Sequence, residues 1–424
     1  MPQGPIIIFD KSSLESLNLD EAVLLDNFYM SNITPLFFVE CLADLEKSIR
    51  SRSTPEQLVG SLADRTPEAQ ACANVFHMTI LKAELGRQFD LKKVFFRPTL
   101  GGGQPVQLGD KKGIIFQRSQ EEEALDRWTR REFLDVERQI ARVWRRGLSQ
   151  IDFSAMVKSV MAELGHWKKP KSLAQAKQIA DNIIDNMDPD WLIGFGLNLL
   201  GLPEATEWVR SDWIEQRRPP LRDYIPYFVF MLSINIFFCL LLQTELLRNV
   251  KASHQIDLAY LYYLPFCMVF TSKDRFHAQI VPLFLDSKQT FVNGEELKAD
   301  LKKLDEHYSR LPQSELRKGL INFAAYPPDD TEFVTTRLWD KYLPRWREKI
   351  SYMDLDDPEY QKKTLDLVNS FDDQAPGVQS HDEHDVDKLD HVTVKRMVFP
   401  KKGKWLRFSE EVIEQMREKS DKDR

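Results

Sequence analysis

Residues 5–13 of the 424-residue chain read Pro5-Ile6-Ile7-Ile8-Phe9-Asp10-Lys11-Ser12-Ser13. Four large apolar residues in a row, with no polar alternation, are the pattern of a strand buried on both faces, as in a parallel sheet. Asp10 ends the run, and Ser12 and Ser13 are expected to cap a helix through Leu14, Leu17 and Val23. A second apolar stretch, Ile33 to Val39, leads into a helix holding Glu40, Leu42 and Leu45. Glu68 to Leu91 reads as a further helix, with Thr66 as its cap and Pro67 in its first turn. Asn74 and His77 lie on successive turns of it and are read first as core hydrogen-bonding groups.

The triplet Gly101-Gly102-Gly103 follows. It has no GK[ST] and opens no GxGxxG helix, so it is read as a turn between sheet-like pieces and not as a phosphate loop. From about Ser119 to Arg222 charged helical periodicity takes over. Glu121 to Trp144 reads as one long amphipathic helix, and Ala174 to Met187 and Trp191 to Leu200 as two more. Alternating α/β character returns after Tyr224. A core helix over 227–247 precedes a helix starting near Asp257, a strand over Met268-Val269-Phe270-Thr271, and then Asp274. A strand at Thr290-Phe291-Val292 and a helix from Glu295 to His307 close the unit. The reading is an α/β fold in two halves, 1–116 and 224–311, separated by a helical insertion over 117–223. A C-terminal extension covers 312–424; its acidic segment 354–390 is expected to be flexible, with order returning over Val392 to Met416.

Composition limits the function. The net charge of −7 argues against a protein that coats nucleic acid by bulk charge, though not against an enzyme with a local basic groove. Cys41, Cys72, Cys239 and Cys267 form no CxxC pair and sit among apolar neighbours, which suits buried thiols in a reduced, cytoplasmic setting. The N-terminus lacks the basic region and apolar length of a signal peptide. The run Tyr227 to Leu242 is 16 residues long. A bilayer needs roughly 20, so a buried core helix is expected and a membrane is not. The sequence His381-Asp382-Glu383-His384-Asp385 has metal-ligand residue types, but its acidic, apolar-poor surroundings make it a solvated segment.

Four acids stand at the ends of apolar elements: Asp10, Glu40, Asp257 and Asp274. In an open α/β sheet such positions converge on one crevice at the carboxyl ends of the strands. Four carboxylates there repel one another unless a hard cation such as Mg²⁺ or Mn²⁺ neutralises them. Each acid alone is more often a cap or a turn residue, so the weight rests on the set. The nearby Asp26, Asp44 and Glu46 are assigned to solvated faces.

IIIFDKSS resembles the opening of a PIN domain, where a buried strand is followed by Asp and, two positions on, a small hydroxyl residue, here Ser12. ITPLFFVECLADL resembles the element carrying the family's second acid, at Glu40, and IDLAYLYYLPFCMVFTSKDRFH the elements carrying its third and fourth, at Asp257 and Asp274. The resemblance covers about 1–115 and 225–310 and implies a three-layer α/β/α sandwich. It also implies a metal-dependent nuclease related to the flap-type enzymes, with Asp10, Glu40, Asp257 and Asp274 as catalytic and metal-binding acids. Ser12 would hold a ligand carboxylate, and Thr271 would stand behind the ligands. The expected activity is an endoribonuclease on single-stranded RNA, with single-stranded DNA as the alternative substrate. Bacterial members of the family act in toxin or defence systems. A non-catalytic PIN-like scaffold that binds nucleic acid or protein is the rival reading. Arg138, Arg142, Arg145, Lys168, Lys169, Arg217 and Arg218, interleaved with Trp144 and Trp167, are candidate nucleic-acid contacts. The insertion or the tail would take a protein partner or regulator, and the oligomeric state is left open.

Overall fold

In the computed structural model Ile6–Phe9 is β1, the middle strand of a five-stranded sheet. The structure describes residues 4–48, 54–88, 91, 103–108, 111–116, 120–134, 136–137, 139, 157, 160–163, 169–244, 246, 254–348, 391–394 and 398–422. The other strands of this sheet are β2 (Met30–Ile33) and β3 (Cys72–Ala73) on one side of β1. With β4 (Gly103–Leu108) and β5 (Lys111–Phe116) counted in chain order, β6 (Val269–Ser272) and β7 (Thr290–Asn293) lie on its other side. The order is β3-β2-β1-β6-β7 and every pairing is parallel, so the protein is an α/β fold around a parallel sheet.

The lack of polar alternation in β1 now has its cause. Ile6 and Ile8 belong to one apolar cluster, shared with helix Pro226–Leu242, while Ile7 and Phe9 belong to another, shared with helices Leu19–Phe28 and Gly294–Tyr308. All four are at most 8% exposed. Helices Leu173–Asn186, Pro189–Leu199 and Thr206–Glu215 join the first cluster through Ile183, Leu192 and Val209, so this stretch shares its core with the sheet. Helix Pro226–Leu242 is buried on nearly every side, and among the described residues no helix is long and apolar enough to cross a membrane.

Several local expectations are corrected. The first helical stretch is two helices, Lys11–Ser16 and Leu19–Phe28; Asp10, not a serine, caps the first, and Asn18 caps the second with a capping box to Glu21. The supposed helix from Glu68 contains β3, and helix begins only at His77. A strand of two residues carries no period, so the flanking helical pattern masks it. The long helix from Glu121 ends at Thr129, and Arg131 turns the chain with φ of 64°. Arg138, Arg142, Arg145 and Lys168, the segment 354–390 and the His381–Asp385 sequence lie outside the described residues. Beyond them, β8 (His391–Val394) pairs parallel with β5, itself the antiparallel partner of β4, in a separate three-stranded sheet. A short hairpin, β9 (Lys401–Lys402) and β10 (Trp405–Leu406), precedes helix Glu410–Lys422.

Three buried carboxylates act as distant caps. Both oxygens of Glu84 accept the Tyr227 and Phe228 N–H groups at 2.8 Å, which completes the N-terminus of helix Pro226–Leu242. Asp300 accepts the Val334 and Thr335 N–H groups at 2.6 and 2.9 Å and so caps helix Val334–Tyr342. Asp26 corrects the solvated-face assignment. It is 1% exposed, accepts the N–H groups of Glu68, Ala69 and Gln70, and pairs with Arg407 at 2.6 Å. Burial alone would raise its pKa; Arg407 and the N–H donors outweigh burial and hold it low. Lys402 with Glu68, at 2.5 Å, makes a second tie between the C-terminal segment and the turn before β3.

Candidate functional site

The sheet reverses its winding between β1 and β6, since β2 and β3 lie to one side of β1 and β6 and β7 to the other. A crevice outside the carboxyl ends of the strands is expected at such a switch point. Ile8 faces Asn32 and Phe9 faces Thr271, so one step further Asp10 stands between Thr34 and Ser272. The same register carries outward to Asn74 beyond Thr34 and to Asn293, which faces Ser272. A row of polar residues therefore crosses the carboxyl edge, one per strand, about 5 Å apart.

Asp10 is the centre of this row. It is 3% exposed, and its Oδ1 accepts the Ser13 N–H at 2.9 Å, the capping bond of the following helix. Ser12 Oγ donates to both carboxylate oxygens, at 2.9 and 2.8 Å. Ser272 Oγ donates to Oδ2 at 2.6 Å, and His277 Nδ1 lies 3.4 Å from the same oxygen. Burial pushes the Asp10 pKa up, but His277, Ser272 and the Ser13 N–H outweigh it and hold the group ionised.

The other three acids approach from adjacent elements. Glu40 sits in helix Pro35–Ser48, where Oε2 accepts the Tyr260 hydroxyl at 2.9 Å and the Lys11 N–H at 3.4 Å. Burial and then the charge of Asp10 raise its pKa to about 8, with Asp257 adding to the rise. Asp257 lies in the first turn of helix His254–Tyr260. Its pKa is raised to about 6 by burial, against His277, with Asp274 and Asp10 adding to the rise. Asp274 follows β6 and caps helix Arg275–Ile280 through the Phe276 N–H at 2.6 Å. The four acids thus feel one another's charge at a single end of the sheet. Capping and clustering coexist: Asp10 and Asp274 do both.

Two residues that sequence reasoning passed over complete the centre. Ser272 donates to Asp10, accepts the Asp274 N–H at 2.9 Å, and lies 2.9 Å from His277 Nδ1. Thr271, one position earlier, is wholly buried, and its Oγ1 has no hydrogen-bond partner among the described residues. The alternation of the strand explains the difference, because only one of two successive residues can face Asp10. His277 is wholly buried, and its Nε2 contacts the Asp257 carbonyl at 2.8 Å. Burial depresses its pKa, but the hydrogen bond and charge of Asp10 dominate and lift it to about 9. The only hint in the sequence is that His277 follows Asp274 by three residues, one helical turn.

His77 is buried, its pKa lowered to about 4 by burial alone, and it packs against the rings of Phe76 and Tyr262. Asn74, by contrast, follows β3 in the polar row, and both its amide atoms lack a partner among the described residues, as does Thr34 Oγ1. Buried orphan groups of this kind are rare and mark places where water, an ion or a ligand is accommodated. The donor set is all oxygen from the four acids, the kind that suits a hard divalent cation, and such an ion would relieve the mutual repulsion of Glu40, Asp257 and Asp10. As they stand, no three His, Cys, Asp or Glu side chains among the described residues are grouped so as to hold a metal ion. Of the candidate nucleic-acid contacts, Lys169, Arg217 and Arg218 are exposed, the last two in left-handed conformation at a helix end. No family model matches the chain, and neither a curated protein nor a solved structure does.

Proposed function

We propose that this chain is a metal-dependent endonuclease, built on a PIN-like three-layer sandwich, that hydrolyses phosphodiester bonds in single-stranded RNA. The observation that carries the reading is the meeting of Asp10, Glu40, Asp257 and Asp274 at the switch point of a parallel sheet. In this reading Asp10 and Asp274 would hold Mg²⁺ or Mn²⁺ directly, and Glu40 and Asp257 would complete the shell, bind a second ion or orient water. When bound, the ion would polarise a phosphate oxygen and acidify a water molecule. The chain's own residues supply the rest. Ser12, Ser272 and the Ser13 N–H fix the Asp10 carboxylate, and Tyr260 orients Glu40. Lys169, Arg217 and Arg218 are exposed cations available to a phosphate backbone.

The rival, a PIN-like scaffold that binds without cleaving, is favoured by one observation: the acids do not already form a closed ligand set among the described residues. Cleavage of single-stranded RNA and DNA with Mg²⁺ or Mn²⁺ decides between them. The nuclease reading expects cleavage that EDTA stops and that Asp10→Asn and Asp274→Asn each abolish. Activity surviving both substitutions, or none with any metal or substrate, sinks it.

A further inference from the structure

Buried polar atoms with nothing to bond collect at one corner of the carboxyl edge. Asn74 Oδ1 and Nδ2, Thr34 Oγ1 and His77 Nδ1 all lack a hydrogen-bond partner among the described residues. Asn74 is 3% exposed and Thr34 is wholly buried. The two stand side by side, because the Asn74 N–H donates to the Ile33 carbonyl at 2.9 Å, one step past the pair of Ile33 and Ala73. Alternation puts Thr34 on the face of Asn32, which bonds the Phe266 carbonyl, and Asp10 on the face of Ile8, in the same apolar cluster as Phe266. Tyr260 and Tyr263 run along this face from the acids to the corner: one hydroxyl donates to Glu40 at 2.9 Å and the other to the Val75 carbonyl at 3.0 Å. The corner is therefore continuous with the acid centre.

The chemistry of these atoms selects their ligand. An amide and a hydroxyl are uncharged, and burial keeps the His77 ring neutral, with its pKa near 4, so none of the four atoms brings a charge with which to hold a phosphate. A ribose 2′-hydroxyl lies beside its phosphate, whereas Asn74 stands two strands from Asp10, about 10 Å away. A base reaches that far from a phosphate held at Asp10. It also carries donors and acceptors in one plane, the pattern that an asparagine amide matches with two bonds. Phe76, 37% exposed and with its ring 4.1 Å from that of His77, supplies an aromatic face beside the corner. We propose that Asn74, Thr34 and His77 form a nucleobase subsite, which reads a base beside the scissile phosphate and sets the sequence preference of cleavage. The part played in cleavage rests on the nuclease reading above; the binding of a base does not.

Single-stranded RNA of randomised sequence, cut by the full chain with Mn²⁺ and sequenced at the new ends, measures the preference. One base is expected to be enriched at least about tenfold at a fixed position beside the cut. Asn74→Asp, which exchanges the amide donors for an acceptor at constant shape, is expected to bring that enrichment below about threefold. Cleavage without preference, or a preference unchanged in Asn74→Asp, overturns the inference and leaves the nuclease standing. Saturation-transfer nuclear magnetic resonance with adenosine, guanosine, cytidine and uridine, on the full chain in EDTA, requires no cleavage. Transfer to the base protons of at least one nucleoside, lost in Asn74→Asp, supports the subsite even where no RNA is cut and the nuclease reading has failed. No transfer to any of the four leaves the corner to ordered water and overturns the subsite. Should Asn74→Asp fail to fold, Thr34→Val takes its place with the same expectations, since it removes a buried hydroxyl that has no partner and keeps the shape.

Discussion

Replacing Glu40 by glutamine is expected to stabilise the metal-free protein, and only at high pH. In the folded chain the Glu40 pKa is raised from 4.5 to about 8, chiefly by burial and by Asp10. Between these values the native state holds a proton that the unfolded chain has lost. A raised carboxyl contributes stability that is fully present below about pH 4.5 and drains away as pH rises toward 8. The slope is about 1.4 kcal/mol per pH unit, so the full interval is worth on the order of 3–5 kcal/mol. Glutamine imitates the protonated acid: its carbonyl can still accept the Tyr260 hydroxyl, and it never ionises beside Asp10. Urea denaturation in EDTA, followed by circular dichroism at steps from pH 4.5 to 8.5, is the assay. Glu40→Gln should match the wild type at pH 4.5 and exceed it by roughly 3 kcal/mol at pH 8.5. Asp257, raised to about 6, titrates in both proteins and cancels in the difference. Parallel curves, or a variant less stable than the wild type at pH 8.5, would refute the argument that Glu40 sits protonated against its neighbours.

Arg407→Ala should cost about 3–5 kcal/mol, because it strands the buried Asp26 charge, and Asp26→Asn together with Arg407→Ala should recover part of that loss; a double-mutant cycle by denaturation measures it. Glu84→Ala removes both acceptors from the start of helix Pro226–Leu242 and should cost about 2 kcal/mol or more, whereas Glu84→Gln, which keeps one oxygen, should cost less; thermal unfolding of the two variants checks the order.

Sequence and structure agree where the signal is local. Ile6–Phe9 is a strand because an uninterrupted apolar run suits a sheet covered on both faces, and Asp10 follows directly from its end; Val269–Ser272 opens on the apolar pair Val269 and Phe270, and Asp274 stands just past Lys273. Signals that depend on distant partners were not legible. Asp26 looks like a surface acid until Arg407 arrives from the far end of the chain. His277 has no motif around it, since its partners Asp10 and Ser272 lie on different strands. The hydroxyl beside Asp10 is offset by one residue, from Thr271 to Ser272, because sheet register and not residue type selects which side chain faces Asp10. β3 is too short to leave a period in the sequence.

The pairing of β1 with β6 has a consequence for synthesis. Ser272 and Asp10, whose side chains are bonded, are separated by 262 positions in the chain. A ribosome must therefore make those 262 further positions before the central strand meets its second neighbour. Until then one edge of Ile6–Phe9 is unpaired and the acids remain apart. The nascent protein carries no assembled centre, and whatever chemistry the acids perform begins only after the later part of the chain has been made and folded back.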